Sequence, residues 1–398
     1  MTGGRGGGGL SGPDAAMHSV GPLPAAARLE HERWMRVAIG LARRGAGRTW
    51  PNPNVGCLLL RDGQVVGRGW TRPGGRPHAE AVALAEAGDR ARGATAYVTL
   101  EPCAHHGQTP PCAEALVTAG IAACVIAVDD PDPRVDGRGK AILQAAGIVV
   151  VDGICADEAA WTVRGFLQRI RSRRPWVTVK LATSLDGRIT AADGRSQWIT
   201  DLPARNHGHL LRAQHDAILV GAGTLRADDP QLTCRLPGLG GRSPVRVVMA
   251  SGAGLPMGSR LLSGPADGDA PPVWLAHGDA LPYGTAVELE RRGVQLLHCA
   301  GAAAHDPRPA PQAVLQALAA RGITSLLLEG GAGLATAFLQ AGLADMFAWY
   351  RAGRVLGAGG LPALGALPAV DLAAAADWRL KDRQALGVDV LETYVRAG

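Results

Sequence analysis

Aromatic side chains are scarce in this 398-residue chain: nine Trp, four Tyr and three Phe, 4% of all residues. A zinc-stabilised nucleic-acid-binding protein would interleave such rings with basic residues, and the scarcity argues against that class. The formal net charge of +6 is too modest for this length to establish nucleic-acid binding, though it favours approach of an anionic ligand. No run approaches the roughly 18 consecutive apolar residues of a membrane span. The start, Met1-Thr-Gly-Gly-Arg5, lacks the basic-then-apolar order of a secretory signal, so a cytoplasmic location is expected. Seven cysteines, an odd number scattered over a long chain, do not make a secreted disulfide framework. Apart from Cys103 and Cys112 they read as small buried hydrophobes. Gly-x-Gly-x-x-Gly is missing as well: Gly221-Ala-Gly223 is followed by Arg226 where the third glycine would fall, which withdraws support from a Rossmann domain.

What remains is a chain with 47% hydrophobic residues, enough for a large core, and a length that favours two domains. Residues 1–28, rich in Gly, Ala and Pro without hydrophobic period, are expected to be a disordered tail. Trp34, Val37, Ala38, Leu41 and Ala42 recur at helical spacing, predicting a helix over 31–44. Short apolar strands then alternate with helices: strands at 55–60 and 64–70 joined by an Asp62-Gly63 turn, then at 94–100, 122–128 and 148–151. Helices are expected at 78–87, 112–119 and 140–146. This alternation suggests a three-layer α/β unit over 29–173. The arginines at 169, 171, 173 and 174 read as the solvated face of a helix at a domain junction. A second alternation fills 174–398. Its strands are expected at 176–181, 217–220, 245–249, 273–276, 294–298, 325–328 and 346–350, its helices at 204–214, 311–320 and 334–341, and a strand pair ends the chain.

The chemistry concentrates between His78 and Cys112. One imidazole (His78) and two thiols (Cys103, Cys112) are a suitable ligand set for one catalytic zinc whose fourth position stays open for water. Zinc lowers the pKa of bound water toward about 7, and a carboxylate beside it, Glu80, suits a proton shuttle. His78 and Cys112 fall at or near predicted helix starts, where the positive end of the helix dipole favours thiolate and hydroxide. Two residues turn a helix by about 200°, so His78 and Glu80 meet only where side chains fan out in the first turn. A structural zinc knuckle, with His105 or His106 as fourth ligand, is the alternative, and it leaves Glu80 without a task. Zinc deaminases share the signature His-x-Glu with Pro-Cys-x-x-Cys; here eight residues separate the cysteines.

Pro51-Asn-Pro-Asn-Val-Gly-Cys57, His78-Ala-Glu80, Thr99-Leu-Glu-Pro-Cys-Ala-His-His-Gly-Gln-Thr-Pro-Pro-Cys112 and Asp130-Pro-Asp-Pro133 with Gly137-Arg-Gly139 closely resemble the bifunctional riboflavin-biosynthesis deaminase-reductases. The resemblance implies a cytidine-deaminase-like α/β/α domain. Its expected reaction is hydrolytic deamination of a pyrimidinone carrying a 5'-phosphoribosylamino group, with Glu80 moving the proton. Asn52 and His105 are then expected to contact this phosphorylated pyrimidine.

In the second half, Ile218-Leu-Val-Gly-Ala-Gly-Thr224 and Leu328-Glu-Gly-Gly-Ala-Gly-Leu334 each run from an apolar strand into a small-residue turn. Exposed N–H groups at such turns can cradle phosphate, but each turn alone is weak evidence. Together with Lys180-Leu-Ala-Thr-Ser-Leu-Asp-Gly-Arg188, Ser196-Gln-Trp-Ile-Thr200, Leu211-Arg212 and Asp228-Asp-Pro-Gln-Leu-Thr233, they resemble the family's reductase half. That resemblance implies a dihydrofolate-reductase-like α/β domain using NADPH to reduce the ring-opened ribose to ribityl. It places Ser196, Arg212, Leu232, Arg235 and Glu329 on substrate. Ala182, Trp198, Thr224, Asp228, Ser251, Gly331, Ala332, Gly333 and Leu334 are placed on NADPH. A deaminase whose second domain has lost its reduction is the runner-up, and assembly with further copies of the chain is left open.

Four positions depart from the family pattern. Gly353 stands for an expected proline, Met346 for a carboxylate and Ala250 for an aspartate; these bear on local sheet geometry. Gln108 stands where an arginine is expected between the cysteines. An amide replaces only part of a bidentate charged contact to phosphate. Gln108→Arg is therefore expected to lower KM for the phosphorylated deaminase substrate. Steady-state kinetics showing an unchanged KM would assign the phosphate to another residue.

Overall fold

The computed structural model describes residues 23–107, 110–263, 270–303, 306–367 and 377–397. The expected tail therefore lies outside the described residues up to 22, and so does Gln108. Its boundary at 28 moves, because helix α1 spans Ala25–Ala42. Three consecutive alanines directly after Pro24 are strong helix formers, and this local propensity outweighs the Gly/Pro bias of what precedes them.

The first sheet is built from β1 (Gly56–Arg61), β2 (Gln64–Trp70), β3 (Thr95–Val98), β4 (Ala123–Ile126) and β5 (Val149–Val151), in the order β2-β1-β3-β4-β5. Asp62 and Gly63 both take positive φ in the β1–β2 turn, as a two-residue hairpin requires. β3, β4 and β5 run parallel. α2 (Ala79–Ala87), α3 (Cys112–Ala119), α4 (Arg138–Ala145) and α5 (Ala156–Ser172) complete this half. Alternation along the strands makes two cores. Cys57, Leu59, Val98, Cys124 and Ile126 pack with Ala83, Leu116 and Leu143 of α2, α3 and α4. Leu58, Leu60, Tyr97 and Val125 pack on Met35, Ala38 and Ile39 of α1. The result is the expected three-layer arrangement.

Two glycines set how closely the helices approach this sheet. A Cβ at Gly56 would collide with the Ala38 carbonyl of α1, and one at Gly69 with the Ala79 carbonyl of α2. The second contact matters more for function, since α2 begins at the residue after His78.

The second sheet has nine strands: β6 (Trp176–Thr183), β7 (Ala217–Gly221), β8 (Val245–Ala250), β9 (Val273–His277), β10 (Gln295–His298), β11 (Ser325–Leu328), β12 (Met346–Arg351), β13 (Trp378–Leu386) and β14 (Asp389–Arg396). Their order is β10-β9-β8-β7-β11-β6-β12-β14-β13, parallel from β10 through β12. α6 (Leu202–Ala213), α7 (Ala222–Asp228), α8 (Tyr283–Arg291), α9 (Pro311–Ala320) and α10 (Ala332–Gln340) cover it. Val177, Val179, Leu219 and Leu326 face α9 and α10, whereas Ile218, Val220 and Leu327 face Ala204 and Leu211 of α6 and Leu225 of α7. The departures at Met346, Ala250 and Gly353 leave this sheet intact. β12 pairs without a break against both β6 and β14 from Met346 to Arg351, and Ala250 ends β8 in register with His277.

The basic segment at the junction is a solvated face only in part: Arg171 and Arg173 are exposed, whereas Arg169 and Arg174 are engaged. Arg174 makes a bidentate pair with Asp345 at 2.6 and 2.7 Å, and Arg169 donates to the Ala319 carbonyl at 2.9 Å. Gly165 lets α5 approach the Thr324 carbonyl. α5 and the linker thus grip the second sheet, a use of arginine that charge counting does not reveal.

Gly69→Ala is expected to destabilise the chain by about 1–3 kcal/mol through overpacking, and to lower deaminase turnover by shifting the start of α2. Urea unfolding and deamination kinetics check this. A variant as stable as the parent would mean that the helix moves away at no cost.

Candidate active sites

His78 is not inside the first turn of α2 but caps it, with extended backbone (φ −68°, ψ 162°). A cap residue is free of the helical 100° step, so its side chain and that of Glu80 reach one cavity of about 130 Å³. Cys103 follows the carboxyl end of β3, and Cys112 opens α3, as its position after Pro110-Pro111 leads one to expect. His78 Nδ1 lies 3.7 Å from Cys103 Sγ and 3.4 Å from Cys112 Sγ, and the three ligand atoms fall within 4.8 Å of one another. A tetrahedral zinc with bonds of about 2.3 Å to sulfur and about 2.1 Å to nitrogen separates its ligands by roughly 3.6–3.8 Å. The cluster therefore fits zinc.

Its electrostatics point the same way. The hydrogen bond with Cys112 holds the Cys103 thiol down at about 4, against the effect of burial. The same contact pushes the Cys112 thiol far up. Two thiols sharing one proton need a cation before both can ionise. Burial pushes the Glu80 carboxyl up to about 7, with the His78 charge opposing.

His106 does not join the cluster: it is exposed and lies 3.6 Å from Glu114. Among the described residues three side chains converge, a set that would leave a bound zinc room for water. His105 lines the cavity, its buried Nδ1 without a hydrogen-bond partner. Asn52 also lines it, oriented by donation to the Gly75 carbonyl at 2.8 Å. Sequence reasoning assigned no role to Glu101. Its carboxylate accepts from the Gly137 and Lys140 amides, both at 3.1 Å, and so ties the loop before Cys103 to the start of α4. The signal was available: a carboxylate at the end of an apolar strand, followed by Pro-Cys.

In the second sheet the expected residues gather at the carboxyl ends of four neighbouring parallel strands. Ala182 lies near the end of β6, Glu329 follows β11, Thr224 follows β7 and Ser251 follows β8. Ligands of open α/β sheets bind outside such ends. The two small-residue turns meet here: the Gly331 amide donates to Thr224 Oγ1 at 3.2 Å. Gly331 caps α10, so Ala332, Gly333 and Leu334 form the helix start, with backbone N–H groups suited to a dinucleotide phosphate. This cradle fits NADPH.

Arg212 of α6 forms a two-point pair with Glu329, both contacts 2.8 Å, and also donates to the Thr233 carbonyl at 3.1 Å. Lys180 of β6 stands 3.8 Å from the same carboxylate. Burial works against the Glu329 charge, yet Arg212 and Lys180 hold its carboxyl down at about 2. Leu232 is buried with φ at 58°, and the Arg235 amide reaches His209 at 3.4 Å. Ser196 and Trp198 lie in the loop between β6 and α6. There the exposed Trp198 ring sits under Arg205, 4.5 Å away. Asp228 ends α7, its carboxyl raised by burial. Lys180 and the His207–Tyr350 hydrogen bond (2.8 Å) had no assigned role. A lysine inside a strand of buried apolar residues marks the first; nothing in the sequence marks the second.

A sequence profile described as the cytidine and deoxycytidylate deaminase zinc-binding region matches residues 28–128, and one described as the RibD C-terminal domain matches 175–391. The riboflavin biosynthesis protein RibD of Escherichia coli (strain K12) is 40% identical over 374 residues, 91% of this chain and 98% of that protein. The Bacillus amyloliquefaciens RibD is 40% identical over 333 residues, 84% of this chain and 87% of that protein. Acinetobacter baumannii RibD, form 1, superposes with a TM-score of 0.82 at 39% identity, covering 93% of this chain and 100% of that one. A Thermotoga maritima diaminohydroxyphosphoribosylaminopyrimidine deaminase/5-amino-6-(5-phosphoribosylamino)uracil reductase gives 0.79 at 33% identity, with coverage of 93% and 100%. With likeness of this extent running through both sheets and both sites, the chain belongs to the RibD family of riboflavin biosynthesis proteins.

Proposed function

We infer that the chain performs two consecutive steps of riboflavin biosynthesis. It deaminates 2,5-diamino-6-(5-phosphoribosylamino)pyrimidin-4-one, then reduces the ribosyl group of 5-amino-6-(5-phosphoribosylamino)uracil to ribityl. The observation that carries this reading is the presence of both equipped sites in one chain: the three-ligand cluster beside Glu80 and the charged strand-end crevice beside the Thr224–Gly331 cradle. A deaminase with a spent second domain is disfavoured, because the Arg212–Glu329–Lys180 group is intact.

In the deaminase site His78, Cys103 and Cys112 would hold zinc. Bound zinc supplies Lewis acidity and water that ionises near neutral pH. Glu80 accepts a proton on its carboxylate and delivers it to the departing amine, a role suited to its burial beside the ligands. Asn52 and His105 orient the ring. In the reductase site NADPH supplies the hydride. Thr224, Ser251 and the turn from Gly331 to Leu334 hold it, with Ala182, Trp198 and Asp228 at its borders. Ser196, Arg212, Leu232 and Arg235 position the substrate, and Glu329 fixes the Arg212 guanidinium. We assign deamination to the part ending at 173, including α1 from Ala25, and reduction to 174–398. No helix among the described residues is long and apolar enough to cross a membrane. Seven free cysteines suit a reducing cytoplasm, and homo-oligomers are compatible with this reading.

Glu80→Gln is expected to retain about one zinc per chain and full reductase activity, while deamination falls about 100- to 10,000-fold. Elemental analysis and separate assays of the two half-reactions check this, and retained deamination would remove Glu80 from the proton path. Glu329→Gln leaves Arg212 buried without its partner and is expected to cost about 3–5 kcal/mol at pH 7. The folded-state carboxyl, at about 2, lies below its ordinary value of 4.5. Its contribution is therefore full above 4.5 and is lost as pH falls toward 2. The stability gap between parent and variant should narrow over that window in urea titrations; a constant gap would show that the ion pair is not its source.

A further inference from the structure

We propose that arginines of both halves form a positively charged path, which guides the phosphorylated product of deamination from the deaminase cavity to the reductase site. This rests on the two activities inferred above and adds a route between them.

The path runs from contact to contact. Arg76 lines the deaminase cavity. The Arg72 amide donates to the Pro77 carbonyl at 3.1 Å, which closes the loop between them and brings Arg72 beside Arg76. The Arg72 guanidinium stands 3.8 Å from the centre of the Trp70 ring, and that of Arg44 stands 4.9 Å from the same centre. Arg242, in the second half, donates through Nη2 to the Arg44 carbonyl at 2.6 Å and so crosses the junction. Next to it the Cys234 amide donates to Ser243 Oγ at 3.0 Å, which draws together their chain neighbours Arg235 and Arg242. Two residues before Arg235, the Thr233 carbonyl accepts from Arg212 at 3.1 Å, inside the reductase site.

These charges face solvent and are not neutralised. Arg44 and Arg235 are exposed, and Arg48, Arg72, Arg76 and Arg242 are half-buried. Elsewhere on the first half, Arg36 pairs with Glu158 and Arg68 with Glu86. Among the described residues no carboxylate pairs with Arg44, Arg48, Arg72, Arg235 or Arg242. Arg48 widens the path, since its carbonyl accepts from the Gly74 amide at 2.8 Å. Burial, and then the Arg48 charge, hold the Arg242 guanidinium below its ordinary pKa. A phosphomonoester carries a charge of about −1.5 to −2 at pH 7. The Debye length at physiological ionic strength is about 8 Å, so cations spaced by single side-chain contacts present overlapping potentials. An anion leaving the cavity is thereby kept near the surface and steered along it. Exposed ion pairs are individually weak, so each arginine passes the phosphate on and does not trap it.

The test gives the full chain radiolabelled diaminopyrimidinone substrate and NADPH, with excess unlabelled 5-amino-6-(5-phosphoribosylamino)uracil as competitor. In the parent, labelled ribityl product is expected after a short lag and with little dilution of the label. Arg44→Gln combined with Arg72→Gln should lengthen the lag about tenfold and let the competitor dilute the label fully. The kcat and KM of each half-reaction, assayed separately, should stay unchanged. Arg44→Lys with Arg72→Lys keeps both charges and should keep the transfer. Salt at about 1 M, where the Debye length falls to about 3 Å, should abolish transfer in the parent without any substitution. Full dilution in the parent, or transfer undiminished in the Gln pair or at high salt, overturns the proposal. A Lys pair that behaves as the Gln pair does overturns it as well, because charge would then not be the agent. Absence of either separate half-reaction in the parent would instead refute the activities that the path connects.

Discussion

Charges taken out of water need a partner, and the two active sites of this chain meet that need in different ways. In the first sheet two thiols share a proton until a metal ion neutralises both, so charge balance at His78, Cys103 and Cys112 is completed by the cofactor. In the second sheet the balance lies within the protein: Glu329 is matched by Arg212 and Lys180 before any substrate enters. Reactive groups are thus fixed in advance, at a cost in stability that well-packed cores on both sides of each sheet offset.

Both chemical sites also rely on where parallel strands end. β3 leads into Glu101-Pro102-Cys103 and β4 leads to the loop at Asp130, while β6, β7, β8 and β11 bring Ala182, Thr224, Ser251 and Glu329 side by side. Side chains at such ends leave the hydrogen-bonded ladder and meet the starts of helices. His78 at the cap of α2, Cys112 at the start of α3 and Gly331 at the cap of α10 repeat one solution on unrelated sheets. Helix starts favour negative charge, whether thiolate or phosphate.

Most strands of both halves were legible in the sequence because they are short apolar runs near Gly, Pro or Asp; the charged, exposed β13 is an exception. α9 at 311–320 coincides with its expected span for the same reason, since Pro311 opens it. Of α5 only the basic end was expected as helix, and α7 and α8 were missed. α7 is seven residues of mostly small side chains with little hydrophobic period, and α8 buries only Leu289, so neither carries a strong stripe. The zinc cluster was legible because its ligands are few, chemically distinctive and close in sequence. The second site was not readable from any one segment. Thr224 and Gly331 are 107 residues apart, and only the insertion of β11 between β6 and β7 makes them neighbours.

Two of the four arginines at the junction, Arg169 and Arg174, show where charge patterning falls short of apolar patterning. A run of basic residues predicts solvent exposure only when nothing else needs their donors. Here the end of α9 presents the Ala319 carbonyl and the loop before β12 presents the Asp345 carboxylate, and Arg169 and Arg174 satisfy them. These contacts fix α5 against the second sheet, while Val163, Phe166 and Leu167 of the same helix pack in the core of the first. One helix therefore carries both the wall of the deaminase cavity and the grip on the reductase half. A shift of α5 would therefore disturb the Phe166 wall on one side and the Arg169 contact on the other.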